Sequence, residues 1–523
     1  MNTLKTPGVY IIEKNAFPNS VVEVATAVPA FIGYTEKAKN GSKSLINLPF
    51  RISSLAEYEQ YFGKAPRKDF RLVKTDVNSL GLSALKDPGK FDAVKNCTEA
   101  IFKLSEPDDI QYYGLTRNYQ FNLYYQLHFF FANGGGACYI VSVNEGYKQD
   151  SFSYDALVGG IEPLLKEQEP TMVVIPEAVY LEEQECYDLQ TAMLRHCATM
   201  GNRIAILDIY NGDQSRKDPE AGDVITTFRE KIGTEFLNYA AAYYPWLNTA
   251  IISEKNLGIN SVSNLEDLQN ILKSEAVFQK DEKRTQQLLN LAGRITKEGP
   301  ESPSEKEEIH KILLQQSVAY ATIMKKIAHD INLLPPSSAM AGIYTLVDST
   351  KEVWKAPANI GLSSVISPSV TISHADQEDL NLPPDGKAIN AIRYFTGEGI
   401  KVWGARTLDG NSLDWRYINV RRTMIMLEES IKYAARSFVF EPNTANTWVT
   451  VRSMVRNFLT GIWKRGGLAG AVPEDAFIVS IGLGETMTPE DILEGIMRIT
   501  VLVAIARPAE FIEITFQQQM QKS

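Results

Sequence analysis

Phe438-Val-Phe-Glu-Pro-Asn443, Trp448, Gly461-Ile-Trp-Lys-Arg-Gly-Gly467 and Arg507-Pro-Ala-Glu-Phe511 follow one another near the end of the chain. Aromatics, glycine turns and a strand-like tail make up these segments. They hold almost none of the residue types that reactions need, and they suit packing between repeated copies. Around them the pattern predicts two long helices, Ile418–Phe438 and Trp448–Lys464, and then a strand, Ala476–Ile481. Thr488-Pro489 sets a hydroxyl N-cap before a proline at the first helical position. Arg498–Ile505 and Glu510–Gln517 read as strands. In the latter, Ile512, Ile514 and Phe516 share one face, and Glu513, Thr515 and Gln517 the other.

Working outward, 523 residues exceed one ordinary core, and the length suggests roughly three domains. A hydrophobic share of 44% with 22% charged residues is that of a globular protein. The net charge of −10 argues against wrapping nucleic acid, so no nucleic-acid partner is expected. No apolar h-region follows Met1 and no run of about 18 apolar residues occurs, so neither a secretory signal nor membrane insertion is expected. Cys97, Cys138, Cys186 and Cys197 are scattered, which suits buried or idle thiols in a reducing cytoplasm.

Along the chain, Thr6-Pro7-Gly8 is a turn that opens a strand, Val9–Lys14, apolar on both faces. Val28–Tyr34 reads as the first strand of a globular domain, and Ser53–Phe62 as an amphipathic helix. Residues 64–109 are charged and read as an irregular insertion. An aromatic helix, Tyr119–Phe131, ends at Asn133-Gly-Gly-Gly136 before a strand, Cys138–Val143. A helix at 157–167, a strand Thr171–Ile175, a helix Glu182–Thr199 and a strand Arg203–Asp208 then alternate, which predicts helices packed on a sheet. Residues 254–332 are charged with Leu and Ile at helical spacing, and read as outward helical insertions broken at Gly299-Pro300 and Pro303. Leu334-Pro-Pro-Ser-Ser338 punctuates the chain. The expected fold class is mixed α/β (α+β) and multidomain. The expected map is an arm at 1–27, a domain at 28–333 carrying the two insertions 64–109 and 254–332, and a last domain at 334–523.

Chemistry is sparse. Gly134–Gly136 follows a helix and precedes a strand, the reverse of the strand–glycine–helix order of a phosphate cradle, so it reads as a helix terminus. His128, His196, His310, His329 and His374 stand apart, and no His/Cys set has zinc spacing. No GxSxG or GxxxxGK[ST] pattern occurs. No catalytic residue, metal or cofactor is expected. The basic residues of the helix ending at Lys464 have two readings. Cations at a helix C-terminus suit its dipole. Arg452 and Arg456, four apart on the flank, can also form a basic stripe for an acidic partner.

Several of these segments resemble, in order, the tail sheath proteins of phages and phage-like contractile machines. Thr6-Pro-Gly-Val-Tyr10 is similar to the family's N-terminal arm. Phe130-Phe-Ala-Asn-Gly-Gly-Gly136 with Tyr139–Val143, and Ala241-Ala-Tyr-Tyr-Pro-Trp246, resemble two further family segments. The densest likeness runs through Pro336–Gly342, Val353–Asn359, Asn390–Phe395, Trp403–Thr407, Ile418–Arg422, Phe440–Asn443 and Arg507–Phe511. Residues 64–109 and 254–332 match nothing in that family. Glu352 stands where Gly is expected before Val-Trp, Glu177 follows Ile-Pro where Asp is usual, and Arg507 replaces a Pro.

The resemblance implies a non-enzymatic structural subunit of a contractile injection system. Such subunits form a homo-oligomeric, six-start helical sheath around an inner tube, between baseplate and cap proteins. The sheath contracts and drives the tube through a target membrane. It implies a tail-sheath fold with an outer domain carrying the insertions and an inner domain at 334–523. Terminal strands would be exchanged between neighbours, through Val9, Tyr10, Ile11 and Ile12 at one end and Phe511, Ile512, Ile514 and Phe516 at the other. It also implies a tube-facing helix, for which Arg452, Arg456, Lys464 and Arg465, with Arg421 and Arg422, are the candidates. The subunit is expected to be made in the cytoplasm and to end in a phage-tail-like particle that can be released from the cell. The alternatives are a non-contractile tail or baseplate subunit, and a cofactor-binding α/β enzyme resting on the middle alternation.

Overall fold

Strands whose residues are apolar without interruption need cover on both faces, and parallel sheets provide it. The computed structural model describes residues 21–66, 70–75, 100–105, 110–117, 121–147, 152–216, 222–277, 281–295 and 302–514. Nine strands form its main sheet: β1 (Pro29–Thr35), β2 (Phe50–Ile52), β3 (Cys138–Glu145), β4 (Met172–Val174), β5 (Ile204–Asp208), β6 (Ala240–Tyr244), β7 (Ile360–Gly361), β8 (Asn390–Phe395) and β9 (Gly399–Trp403). Their order is β7-β9-β8-β6-β5-β4-β1-β3-β2. The run from β3 to β8 is parallel, and β2, β9 and β7 close its ends antiparallel. Every residue of β1, β4, β5 and β6 is buried. Helices α1 (Leu123–Ala132), α2 (Glu183–Met200) and α3 (Ser337–Lys351) belong to the same unit. The expected helix over 157–167 is instead a short helix, Tyr154–Gly159, and a 3-10 turn, Glu162–Leu165, with Pro163 in its first turn.

The chain divides into two compact units. The larger comprises 27–350 and 357–418; the smaller comprises 351–356 and 419 onward, together with the segment up to Thr26. The expected boundary at 333/334 is thereby corrected. Residues 337–418 supply α3 and β7–β9, and β8 extends the parallel sheet beside β6. Asn390 fastens that junction: its side chain donates to the Ala242 and Arg406 carbonyls at 3.2 and 2.8 Å and accepts from the Arg406 N–H at 2.8 Å. A Cβ at Gly404 would come within 2.7 Å of the Asn390 side-chain oxygen, so glycine is required for this approach.

Two buried carboxylates hold the helices that start at the sheet. Glu177 accepts from the N–H groups of Tyr34, Asn122 and Leu123 at 2.8, 2.9 and 3.2 Å, which satisfies the free donors at the start of α1. A Cβ on Gly33 would lie 2.6 Å from Glu177 Oε2, so that glycine makes room for the carboxylate. Asp208, at the end of β5, accepts from the N–H of Ser337 at 2.8 Å and from its hydroxyl at 2.5 Å, at the start of α3. Burial pushes each carboxyl up to about 7, against these donors, which pull it down. At its other end α1 stops at Asn133. Gly134 adopts φ +91° and the Gly135 N–H donates to the Phe130 carbonyl at 3.0 Å, so the glycine run is a helix terminus.

The described parts of the two insertions meet each other. Residues 64–109 are not irregular throughout: strands Phe70–Thr75 and Ala100–Ser105 flank Ile110–Arg117 in an antiparallel sheet. Asn264 joins this sheet to the second insertion by accepting from the Leu72 N–H at 2.8 Å and donating to the Leu72 carbonyl at 2.6 Å. The second insertion is four helices, Leu265–Val277, Glu282–Arg294, Pro303–Gln316 and Val318–Asn332. They bury Leu268, Ile271, Leu272, Leu288, Leu291, Ile309, Leu313, Tyr320, Ile323 and Ile327 around a His310–Tyr320 hydrogen bond of 2.7 Å.

Glu177→Gln presents one acceptor oxygen where three N–H groups need two, and is expected to cost about 1–3 kcal/mol. A lower urea midpoint at unchanged slope checks this. Replacing 279–305 by a Gly/Ser linker removes a helix carrying buried Leu288 and Leu291. The insertion is expected to lose its protection against proteolysis while the main sheet keeps its own; a fully protected insertion would show that this helix is dispensable.

Candidate assembly surface

The smaller unit packs two long helices on a small sheet. Helix α4 (Ile418–Ala435) and helix α5 (Ala445–Lys464) are followed by the hairpin-like pair β10 (Phe477–Ser480) and β11 (Thr500–Val503). Val451, Met454, Val455, Leu459 and Ile462 recur three and four apart on α5 and bury against Met426, Leu427, Phe477 and Val479. The helix over Pro489–Leu493 starts at Thr488, whose hydroxyl accepts from the Asp491 N–H at 3.2 Å, as the Thr-Pro pair predicts. Three of the motif segments converge at Asn419. Its side-chain amide donates to the carbonyls of Trp354 at 2.9 Å and Ala506 at 3.1 Å. Asn443 does the same for the turn after α4, accepting from the Trp448 indole at 2.6 Å and donating to the Ile496 carbonyl at 3.1 Å.

Among the described residues the sheet of this unit has two strands. Among the described residues no strand pairs with the outer edge of either one. Phe477 and Val479 of β10 face the core with Val501 and Val503 of β11. Their neighbours Ile478 and Leu502, opposite one another in register, face solvent at 52% and 58% exposure. Just beyond β11, Ile505 bridges Leu468, and from Ala506 to residue 514 no strand is assigned. Phe511, Ile512 and Ile514 are 69–78% exposed there, so the strand expected from Glu510 is not formed within the described residues. Val9, Tyr10, Ile11, Ile12 and Phe516 lie outside those residues.

The basic residues are placed differently from expectation. Arg421 and Arg422 are buried. Arg421 lies 3.7 Å from Glu428, and Arg422 donates to the Thr26 carbonyl at 2.9 Å, so neither presents its charge to an outside partner. Arg452 donates to the Ile481 carbonyl and pairs with Glu485 at 2.8 Å. Arg456 lies 3.6 Å from Glu474. Arg465 pairs with Glu23 and with Glu352, the latter at 3.3 Å, and sits 5.0 Å from the Trp354 ring centre. Three of these four flank cations, Arg452, Arg456 and Arg465, have acidic partners within the subunit. Lys464 is exposed. Among the described residues no group of three His, Cys, Asp or Glu side chains is placed to hold a metal ion, and no helix is long and apolar enough to cross a membrane.

This arrangement fits interactions between proteins better than a reaction. Residues 411–519, almost all of the smaller unit's C-terminal part, match the phage tail sheath C-terminal domain. The chain resembles the sheath of an extracellular contractile injection system, PVC, in its contracted state: 26% identity, 99% of each chain covered, TM-score 0.57. It resembles the helical sheath of the anti-feeding prophage in its contracted state at 25% identity and TM-score 0.56, covering 99% of this chain and 100% of that one. The tail sheath protein of Burkholderia phage BcepMu is 30% identical over 115 residues, 21% of this chain and 24% of that protein. The chain thus spans about a quarter of that curated relative's length. The domain match, the relatives and the full-length likeness agree: the chain carries a phage tail sheath C-terminal domain and is similar over its whole length to sheath proteins of contractile injection systems.

Proposed function

We propose that this chain is the structural subunit of a contractile sheath, polymerising as a helical cylinder around an inner tube and shortening to drive that tube through a target membrane. The observation that carries the reading is the likeness of the whole chain, at 99% coverage, to a sheath solved in its contracted state. The smaller unit supplies a physical route to polymerisation. Two strands are marginal as an isolated sheet, and their outer edges offer backbone donors and acceptors to an added strand. The apolar terminal segments, Val9–Ile12 and Phe511–Phe516, are suited to be those added strands, contributed by neighbouring copies. Each backbone hydrogen bond contributes a net ~0.5–1.5 kcal/mol. A few per strand hold neighbours together, while the extended leads let subunits turn against one another as the lattice contracts.

Contact with the tube falls on the exposed side of α5, where Lys464 and the half-exposed Arg456 remain. The pair of Arg456 with Glu474 is solvent-exposed and worth ~0–1 kcal/mol, so it is easily exchanged for an acidic partner; the guanidinium also lies 6.0 Å from the Phe477 ring centre. Contacts of this strength break one by one during contraction, yet repetition along the tube keeps the extended sheath in register. Baseplate and cap proteins complete the particle in this reading, which involves no nucleic acid and no cofactor.

Deleting residues 1–14, or 511–523, is expected to leave a folded, soluble subunit that forms no cylinders in negative stain. Normal cylinders from both truncations would refute the strand-exchange route. Reversing charge at Arg456 and Lys464 to Glu is expected to release the tube from extended sheath without lowering the melting midpoint. Tube retained in full by the folded double variant would assign those cations elsewhere.

A further inference from the structure

The turn joining α4 to α5 contains a strained aromatic. Phe440 adopts φ +72°, a region where the Cβ of a bulky L-residue crowds its own backbone. Burial does not offset that strain, because the ring is fully exposed. Its neighbours impose the conformation. The Glu441 N–H donates to the Phe438 carbonyl at 3.1 Å, the Thr447 hydroxyl to the Pro442 carbonyl at 2.7 Å, and Asn443 is held at both ends of its amide. Glycine would adopt this backbone with less strain. Residues held in such conformations by their surroundings gather where recognition needs a prearranged geometry. Val439, its neighbour in the chain, is 60% exposed, and Val449 on α5 is 61% exposed.

We infer that Phe440 is a docking knob received by a second copy of this chain; the inference rests on the sheath reading above. A bare ring next in sequence to the exposed Val439 matches an apolar recess. It offers nothing to a phosphate or a metal ion. A helical polymer of identical subunits needs two different surfaces of one chain that fit each other. The smaller unit carries a second exposed apolar surface of the same chemistry, the outward face of β10 and β11 at Ile478 and Leu502. Knob and face on one chain are the two halves that a heterologous, repeating contact requires. The rigid turn limits the order lost when the ring is received.

The test compares the full chain with Phe440→Gly and Phe440→Tyr, each purified without any tube protein. Polymer is measured by sedimentation and electron microscopy, and folding by thermal melting. Wild type and Phe440→Tyr are expected to polymerise. Phe440→Gly is expected to give at least about tenfold less polymer, with a melting midpoint equal to or above wild type because the strain is gone. Three results would overturn the inference: wild-type polymer yield from Phe440→Gly, a midpoint well below wild type, or normal polymer that fails only to hold an added tube protein. The last would make the tube the occupant. A wild-type chain that forms no polymer at all would overturn the sheath reading and the inference with it.

Discussion

A sheet of two strands leaves its backbone unfinished, and the organisation of the smaller unit depends on that fact. The inner face of β10 and β11 is secured by the core of α5, but among the described residues no strand covers their outer edges, and Ile478 and Leu502 face outward. Hydrogen-bonding groups on such edges lose little in water and gain a partner only from another strand. Both ends of this chain carry short apolar segments of the kind that can supply it. In the proposed polymer the strands that complete this sheet come from neighbouring copies.

The larger unit solves the opposite problem. The central strands of its sheet are buried on both faces, and the carboxylates of Glu177 and Asp208 near strand ends are already engaged. In open α/β sheets, ligands usually sit beyond the carboxyl ends of the strands. Here Glu177, after β4, and Asp208, at the end of β5, turn their oxygens to backbone donors and to Ser337, which anchors α1 and α3. At the ends of β4 and β5 these two carboxylates thus serve to anchor helices. The insertions form a second core whose two parts are joined through Asn264. Loss of one insertion helix is a local matter for that core, whereas loss of Glu177 bears on the sheet itself.

Much of this was legible in the residues, for reasons that are local. Continuous apolar runs such as Val28–Tyr34 and Arg203–Asp208 announce buried strands, and the spacing of Val451, Val455, Leu459 and Ile462 announces one face of a helix. Thr488-Pro489 and Asn133-Gly134 mark helix ends through the donors and dihedrals they supply. What was not legible depends on partners far apart in the chain. Arg465 and Glu23 are 442 residues apart, so the α5 flank looked unpaired when it was not. The strands within 64–109 have weak alternation and are held from outside by Asn264. The unit boundary moved from 334 to 419 because β8 pairs with β6, a contact across some 150 residues of intervening insertion and helix. The positive φ of Phe440 likewise leaves no mark in Phe-Glu-Pro-Asn, since it is set by the hydrogen bonds of Asn443 and Thr447.

The most direct test of this account is a reconstruction of the assembled polymer at a resolution that traces the sheet containing β10 and β11. The account predicts additional strands on its outer edges, at least one of them traceable to a terminal segment of another copy. A polymer in which that sheet keeps two strands, or is completed only by segments of the same copy, would contradict it.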